Sequence, residues 1–154
     1  MKCLIIGGQI RIVKMWIILL VIVGGIAAVL IGGMAFDARS RREVKELVIE
    51  NVDFAKLHDG TYTGEFVGKQ GRLRNATVEV TIKSGEVSGI KIVKGAVDKD
   101  GKALELTHGK SVKDLFQNAL NAKSLQVDVI SGATLTSKAH LKALENALKK
   151  AEGH

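Results

Sequence analysis

The sequence predicts an α+β protein: a small antiparallel β-sheet domain with two packed helices, preceded by one N-terminal transmembrane helix. Three observations carry this reading. The run "MWIILLVIVGGIAAVLIGGMAF", Met15 to Phe36, holds no charged side chain and is long enough to cross a hydrocarbon core of about 30 Å as a helix. In "ATVEVTIKSGEVSGIKIVKG", Val78, Val80 and Ile82 alternate with Glu79, Thr81 and Lys83, the period-2 pattern of a half-buried strand, and a second strand returns after Ser84-Gly85. Two stretches of helical periodicity, separated by a short apolar alternation, then close the chain.

Taken in order, residues 1–14 ("MKCLIIGGQIRIVK") read as an N-terminal extension, since Met15 would also serve as a start just before the span. Residues 15–36 form the transmembrane anchor. Trp16 suits an interfacial aromatic, and a buried helix of a soluble protein would need more chain around it than the rest provides. The run is longer than a signal-peptide core and Ala35 and Ala38 make a poor cleavage site, so an anchor is the favoured reading. Charge gives no orientation: Lys2, Arg11 and Lys14 precede the span, while Arg39, Arg41, Arg42 and Lys45 follow it.

Residues 37–52 read as a charged tether, reaching roughly 24 Å as a helix and about 50 Å extended. The folded domain, 53–154, opens with a turn at Asp59-Gly60 and a short strand through Tyr62 and Phe66. The hairpin follows, with a bulge expected near Gly89 because the apolar phase shifts between Val87 and Ile90. "GAVDKDGKALELTHG" has no firm period and reads as loop. "KSVKDLFQNALNAK" is an amphipathic helix, with Val112, Leu115, Phe116, Ala119 and Leu120 at the spacing of one face. A short strand over Leu125–Val129 leads into "SGATLTS", and a last helix is expected from about Ser137 to Ala151 with Leu141, Leu144 and Leu148 buried.

Composition excludes several functions. The chain has 154 residues, a net charge of +7 and one cysteine. A lone cysteine, Cys3, rules out an intramolecular disulfide and an all-cysteine metal site, and no C-x-x-C-H attaches haem. Without the three basic residues before the span the net charge is +4, and much of it sits in "RSRR" beside the membrane, where it suits lipid head groups. With 4% aromatics and no nucleic-acid motif, no nucleic-acid partner is expected. His58, His108, His140 and His154 are scattered and most of them read as solvated, and no G-x-S-x-G or P-loop occurs, so neither triad hydrolysis nor nucleotide hydrolysis is supported.

The distinctive feature is "DVISGATLTS", which crowds Ser131, Thr134, Thr136 and Ser137 into the joint before the last helix. Thr136 or Ser137 as a helix cap and Gly132 as a turn residue account for one hydroxyl and the glycine. Ser131 and Thr134 are left over. The same joint makes an anion site: a helix start presents free N–H groups and a positive dipole end, Gly132 and Ala133 let an anion approach, and hydroxyls add donors.

These residues resemble the flavin-attachment motif D-x-x-[ST]-G-A-T of the FMN-binding domain family, matched by Asp128, Ser131, Gly132, Ala133 and Thr134 and continued by Thr136 and Ser137. "DGTYTGEF" and the following hairpin resemble the small stand-alone members, so the likeness covers about Asp59 to Lys149. The family includes flavin subunits of the Na⁺-pumping NADH:quinone reductase and Rnf complexes and small membrane-anchored flavin proteins. The resemblance implies FMN joined covalently to Thr134 through a phosphoester, attached by a flavin transferase using FAD. It implies that Ser131 and Gly132 shape the loop and bind phosphate oxygens, and that Asp128 serves the modification step. It also implies an electron carrier at the extracytoplasmic face of the cell membrane. Its donor would be a membrane dehydrogenase or quinol-linked system, with the acceptor unassigned. The sequence shows no substrate pocket, so a redox carrier or a subunit of an oxidoreductase system is expected and not an enzyme by itself.

Among the few aromatics, Tyr62 is the candidate ring contact, Phe116 is assigned to the core, and the Lys91/Lys94 side is a candidate landing area for an acidic partner. Two other readings stay open: a flavin-bearing subunit of a larger membrane oxidoreductase complex, and a non-redox domain that binds a phosphate ligand or senses one.

Overall fold

The computed structural model describes residues 3–69 and 75–153; Met1, Lys2, residues 70–74 and His154 lie outside the described residues. The chain forms two compact units, Met1–Arg39 and Ser40–His154. The first is helical, within α1 (Cys3–Lys45). Its segment Met15–Gly32 has a mean hydropathy of 2.8 and is long and apolar enough to cross a membrane. Every large apolar side chain from Met15 to Ile31 is more than half exposed, which water penalises and lipid does not.

The second unit is α+β. Strands β1 (Gly60–Phe66), β2 (Ala76–Lys83) and β3 (Glu86–Lys94) form an antiparallel sheet in the order β1-β2-β3. A two-stranded ribbon, β4 (Glu105–Thr107) and β5 (Lys110–Ser111), leads into α2 (Val112–Ala122), and α3 (Thr134–Ala151) ends the fold. Alternation on β2 decides which face is covered: Ala76, Val78, Val80 and Ile82 are all buried, and α3 lies on β1 and β2. Each fully buried Val or Ile side chain contributes roughly 1.5–3 kcal/mol. On α3, Ala139, Ala143, Ala147 and Ala151 alternate with Leu144 and Leu148 in the same core, so small side chains let the helix come close. Gly64 completes the approach, since a β-carbon there would stand 2.0 Å from the carbonyl oxygen of Ala143.

Residues 44–58 belong to this unit, so the connector expected over 37–52 is packed along its second half. Val44 and Val52 are buried in the core, and the intervening chain is strapped along α3. Lys138 Nζ donates to the carbonyl of Lys45 at 2.6 Å, satisfying the end of α1, and Lys142 Nζ donates to that of Val48 at 3.2 Å. Glu145, fully buried, accepts the Glu50 N–H at 3.1 Å and pairs with Lys142 at 2.8 Å and Lys149 at 3.0 Å. Lys149 also pairs with Glu50, and the Asp53 N–H donates to Glu152 at 2.8 Å.

Several local expectations change. The bulge near Gly89 is present: Thr81 pairs with Gly89 but Ile82 with Val87, leaving Ser88 extra, and a second shift leaves Val93 extra. The region read as loop contains β4, whose connection to β5 turns on His108 (φ 53°) and Gly109 (φ 71°), the two positive φ values of a tight hairpin turn. Leu125–Val129 is not a strand. Its first two N–H groups find side chains instead of a ladder: Leu125 donates to Asn51 Oδ1 at 3.3 Å and Gln126 to Ser124 Oγ at 3.1 Å. The last helix begins at Thr134, three residues earlier than its apolar stripe suggested.

Candidate functional site

The joint before α3 is a tight turn closed by the Ala133 N–H donating to the Ile130 carbonyl at 2.9 Å. Gly132 stands at φ +79°, a left-handed conformation that favours glycine. A β-carbon on it would meet Thr107 Cγ2 at 3.2 Å, so β4 backs the turn. Ser137, fully buried, holds the turn from inside: its Oγ accepts the Ile130 N–H at 3.2 Å and donates to the Ala133 carbonyl at 3.0 Å. The expected capping role is therefore displaced. Ala133 occupies the N-cap, no side chain caps the helix, and Ser137 lies one turn inside.

An uncapped start leaves the N–H groups of Thr134, Leu135 and Thr136 without helical acceptors, at the positive end of an 18-residue helix with no acidic side chain in its first turn. Ser131 and Gly132 are exposed there, and Ala133, Thr134 and Thr136 are half-buried. The arrangement can hold an anion on backbone donors beside two accessible hydroxyls, Ser131 and Thr134.

Of the residues singled out in the sequence, Ser131, Gly132, Ala133, Thr134, Thr136 and Ser137 come together at this helix end. Asp128 is exposed on the extended approach and has no hydrogen bond or ion pair among the described residues. Tyr62 does not join them. It sits on β1 two residues before Gly64, which faces Ala143 and Ala147 of α3, about 14–20 Å of helix from Thr134. Its hydroxyl donates to the Asp59 carbonyl at 3.3 Å. Phe116 is buried as expected.

His140 is the exception to the reading of most histidines as solvated: His58 and His108 are exposed, and it is buried. Only 2% exposed, it joins the first turn of α3 to the chain after β3. The Ala96 N–H donates to Nε2 at 3.1 Å, so Nδ1 carries the proton and donates to the Thr136 carbonyl at 2.8 Å. Burial lowers its pKa below 6.5, opposed by the bond to Thr136, and holds the ring neutral. Gly95 makes room, since a β-carbon there would stand 2.4 Å from Nε2. A cleft of about 200 Å³ opens beside this ring, lined by Thr136, Ala139, Leu104, Leu106 and Asn75. Sequence reasoning missed His140 and Thr107. The first had a signal, because positions 137, 140, 141, 144 and 148 share the buried stripe of α3; Thr107 had none.

A small antiparallel sheet carries a helix whose uncapped start opens on a hydroxyl-bearing glycine turn, a geometry suited to an anion. Residues 71–149, half of the chain, match the model of the FMN-binding domain, and the protein belongs to that family. It is 32% identical over 120 residues to an NADH:acrylate oxidoreductase of Vibrio harveyi, covering 78% of this chain and 11% of that protein. It is 34% identical over 95 residues to an uncharacterized protein of Treponema pallidum (strain Nichols), covering 62% of this chain and 24% of that one. The chain thus spans about a tenth and a quarter of these relatives. The residues present fit FMN: its phosphate is the anion the free amides of α3 favour, and the Gly132 turn leaves the backbone open to it.

Proposed function

We propose that this protein is a membrane-anchored flavoprotein electron carrier whose FMN is held by a phosphoester on Thr134. The observation that carries the reading is the position of Thr134, a half-buried hydroxyl on the first residue of a helix with no side-chain cap. In the attachment step the Thr134 Oγ forms a bond to the FMN-side phosphorus of FAD, the pyrophosphate P–O bond breaks, AMP leaves, and the hydroxyl proton passes to solvent or to the flavin transferase. Ser137 and Gly132 hold the turn that presents Thr134, and exposed Asp128 is available to the transferase. The remaining phosphodiester charge lies against the free N–H groups of α3.

Bound FMN supplies the electron-transfer chemistry, while the chain supplies position and a covalent tie that dilution cannot reverse. The apolar helix supports single-pass anchoring, with the flavin domain at the extracytoplasmic face by resemblance to the small anchored members. A membrane dehydrogenase or quinol-linked system is the donor in this reading. The match to a tenth of a named oxidoreductase supports a relay module, and favours as second reading a flavin-bearing subunit of a larger complex.

The test is intact mass with in-gel flavin fluorescence on the full chain coexpressed with a flavin transferase, beside Thr134→Ala and Thr134→Ser. The expected result is a gain of FMN minus one water on the parent chain, none on Thr134→Ala, and partial gain on Thr134→Ser. A folded, colourless parent chain with an active transferase would end the covalent reading and turn attention to reversible phosphate binding. Copurification in mild detergent separates a lone carrier from a complex subunit.

A further inference from the structure

We propose that the trough between β3 and α2 is a docking groove for a short, extended, acidic segment of a partner protein, which adds to β3 as a strand. The trough is half open and has a volume of about 860 Å³, within the range of ligand clefts. One wall is the unbroken run Val87–Ile92 of β3. Successive side chains of a strand point to opposite faces, so six consecutive residues on one groove mean that the strand edge, with its backbone, faces it. The sheet order leaves β3 paired on one side only. The other wall is α2, where half-buried Leu120 gives an apolar surface above the buried Phe116 and exposed Lys113 and Gln117 rim it. An edge strand facing a helix across a groove is the geometry that accepts an added peptide strand through main-chain hydrogen bonds.

Charge names the occupant. Every charged residue lining the trough is a lysine: Lys91, Lys102 and Lys113. None of the three forms an ion pair among the described residues. Glu79 lies opposite Lys91 on β2 without pairing to it, and Asp114, beside Lys113, receives the N–H and hydroxyl of Ser111. The opposite edge of the sheet is treated differently. On β1 the carbonyls of Thr63 and Glu65 are taken by Lys150 at 2.6 Å and Asn146 at 2.8 Å, which blunts that edge. The extra residues Ser88 and Val93 confine regular pairing on β3 to Gly89–Ile92. That length suits a short peptide. It disfavours a second copy of this chain, whose β3 would bring like charges at Lys91 together.

The groove is independent of flavin attachment, so its test stands or falls apart from Thr134. The full chain in zwitterionic detergent is titrated with a fluorescein-labelled hexapeptide alternating Glu and Val, followed by anisotropy at low and raised salt. Expected are saturable binding weakened by salt, and new hydrogen-exchange protection confined to Gly89–Ile92. Replacing Glu by Lys in the peptide, or combining Lys91→Glu, Lys102→Glu and Lys113→Glu in a protein that still melts cooperatively, should weaken binding by about tenfold or more. N-methylation of alternate peptide amides, which leaves the protein untouched, should weaken it by a similar order, about tenfold. Unchanged affinity for the N-methylated peptide, protection elsewhere, or a dimer protected over the same residues without peptide would each overturn the proposal.

Discussion

Ser137 and Ile130 are seven residues apart and joined by one buried hydrogen bond, the Ile130 N–H donating to Ser137 Oγ at 3.2 Å. The same hydroxyl donates to Ala133, so one side chain spans the turn that presents Thr134. Ser137→Ala leaves a buried N–H without an acceptor, which costs about 1–3 kcal/mol. Urea unfolding should show that loss at unchanged m-value. Flavin attachment to the intact Thr134 should slow in a time course with transferase, because the turn is less ordered. Full attachment rate at lowered stability would show that Ser137 serves only the fold.

Gly132→Ala combines two costs. The left-handed backbone at φ +79° costs a residue with a β-carbon about 1–2 kcal/mol, and the new atom presses on Thr107. A double variant with Thr107→Ala should recover the packing part and keep the backbone part, so the two substitutions should not add. Denaturant midpoints of the four proteins measure this directly. Flavin incorporation should stay low in both Gly132→Ala proteins.

Much of this arrangement was legible in the sequence, for identifiable reasons. Val78, Val80 and Ile82 alternate because one sheet face is buried, and a phase shift in the apolar pattern marks the bulge at Ser88. The crowd of hydroxyls marked the candidate site, since nothing in helix propensity asks for four of them. What stayed hidden depends on contacts between distant residues. The start of α3 could not be placed because the hydroxyl used at Ser137 points inward to Ile130, outside any capping pattern. Residues 125–129 carry a strand's alternation, yet the amides of Leu125 and Gln126 pair with Asn51 and Ser124. Tyr62 was chosen for chemistry alone, and only the packing of Gly64 on α3 places it at the far end. The packing of the tether stayed hidden because its backbone groups and the Glu50 carboxylate partner a carboxylate and lysines nearly a hundred residues away.

Glu145 supplies that partnership from a fully buried position, with Lys142 and Lys149 only partly covered. Glu145→Ala removes the carboxylate that both lysines and the Glu50 N–H use, and should destabilise by about 3 kcal/mol or more, as breaking a buried pair does. Glu145→Gln keeps an oxygen for the Glu50 N–H and should cost less. Hydrogen exchange separates strap from core: the Glu50 and Asp53 amides should lose protection first in Glu145→Ala, while those of β2 hold. Uniform loss across both would show that the strap and the sheet open as one unit.

His140 gives the fold a defined acid limb. Its folded pKa lies below 6.5 because burial disfavours the charged ring. The unfolded chain therefore binds more protons than the folded one between 6.5 and that lower value, and stability must fall as pH falls through this window. The depressed carboxylates act in a separate one. Asp53, Asp59 and Asp114, lowered from 3.8 by hydrogen bonds, and Glu50, lowered from 4.5 by Lys149, lose their contributions only as pH falls below those values. Between about pH 6.5 and 5 the slope should thus come from His140, whose protonation at Nε2 abolishes the bond from Ala96. Urea unfolding at steps across that range should show declining stability for the parent chain and a flat line for His140→Gln. Because Thr136 and Ala96 lose their common link, exchange at the start of α3 should rise in the same window. A slope retained in His140→Gln would assign the acid sensitivity to groups away from the turn at Gly132.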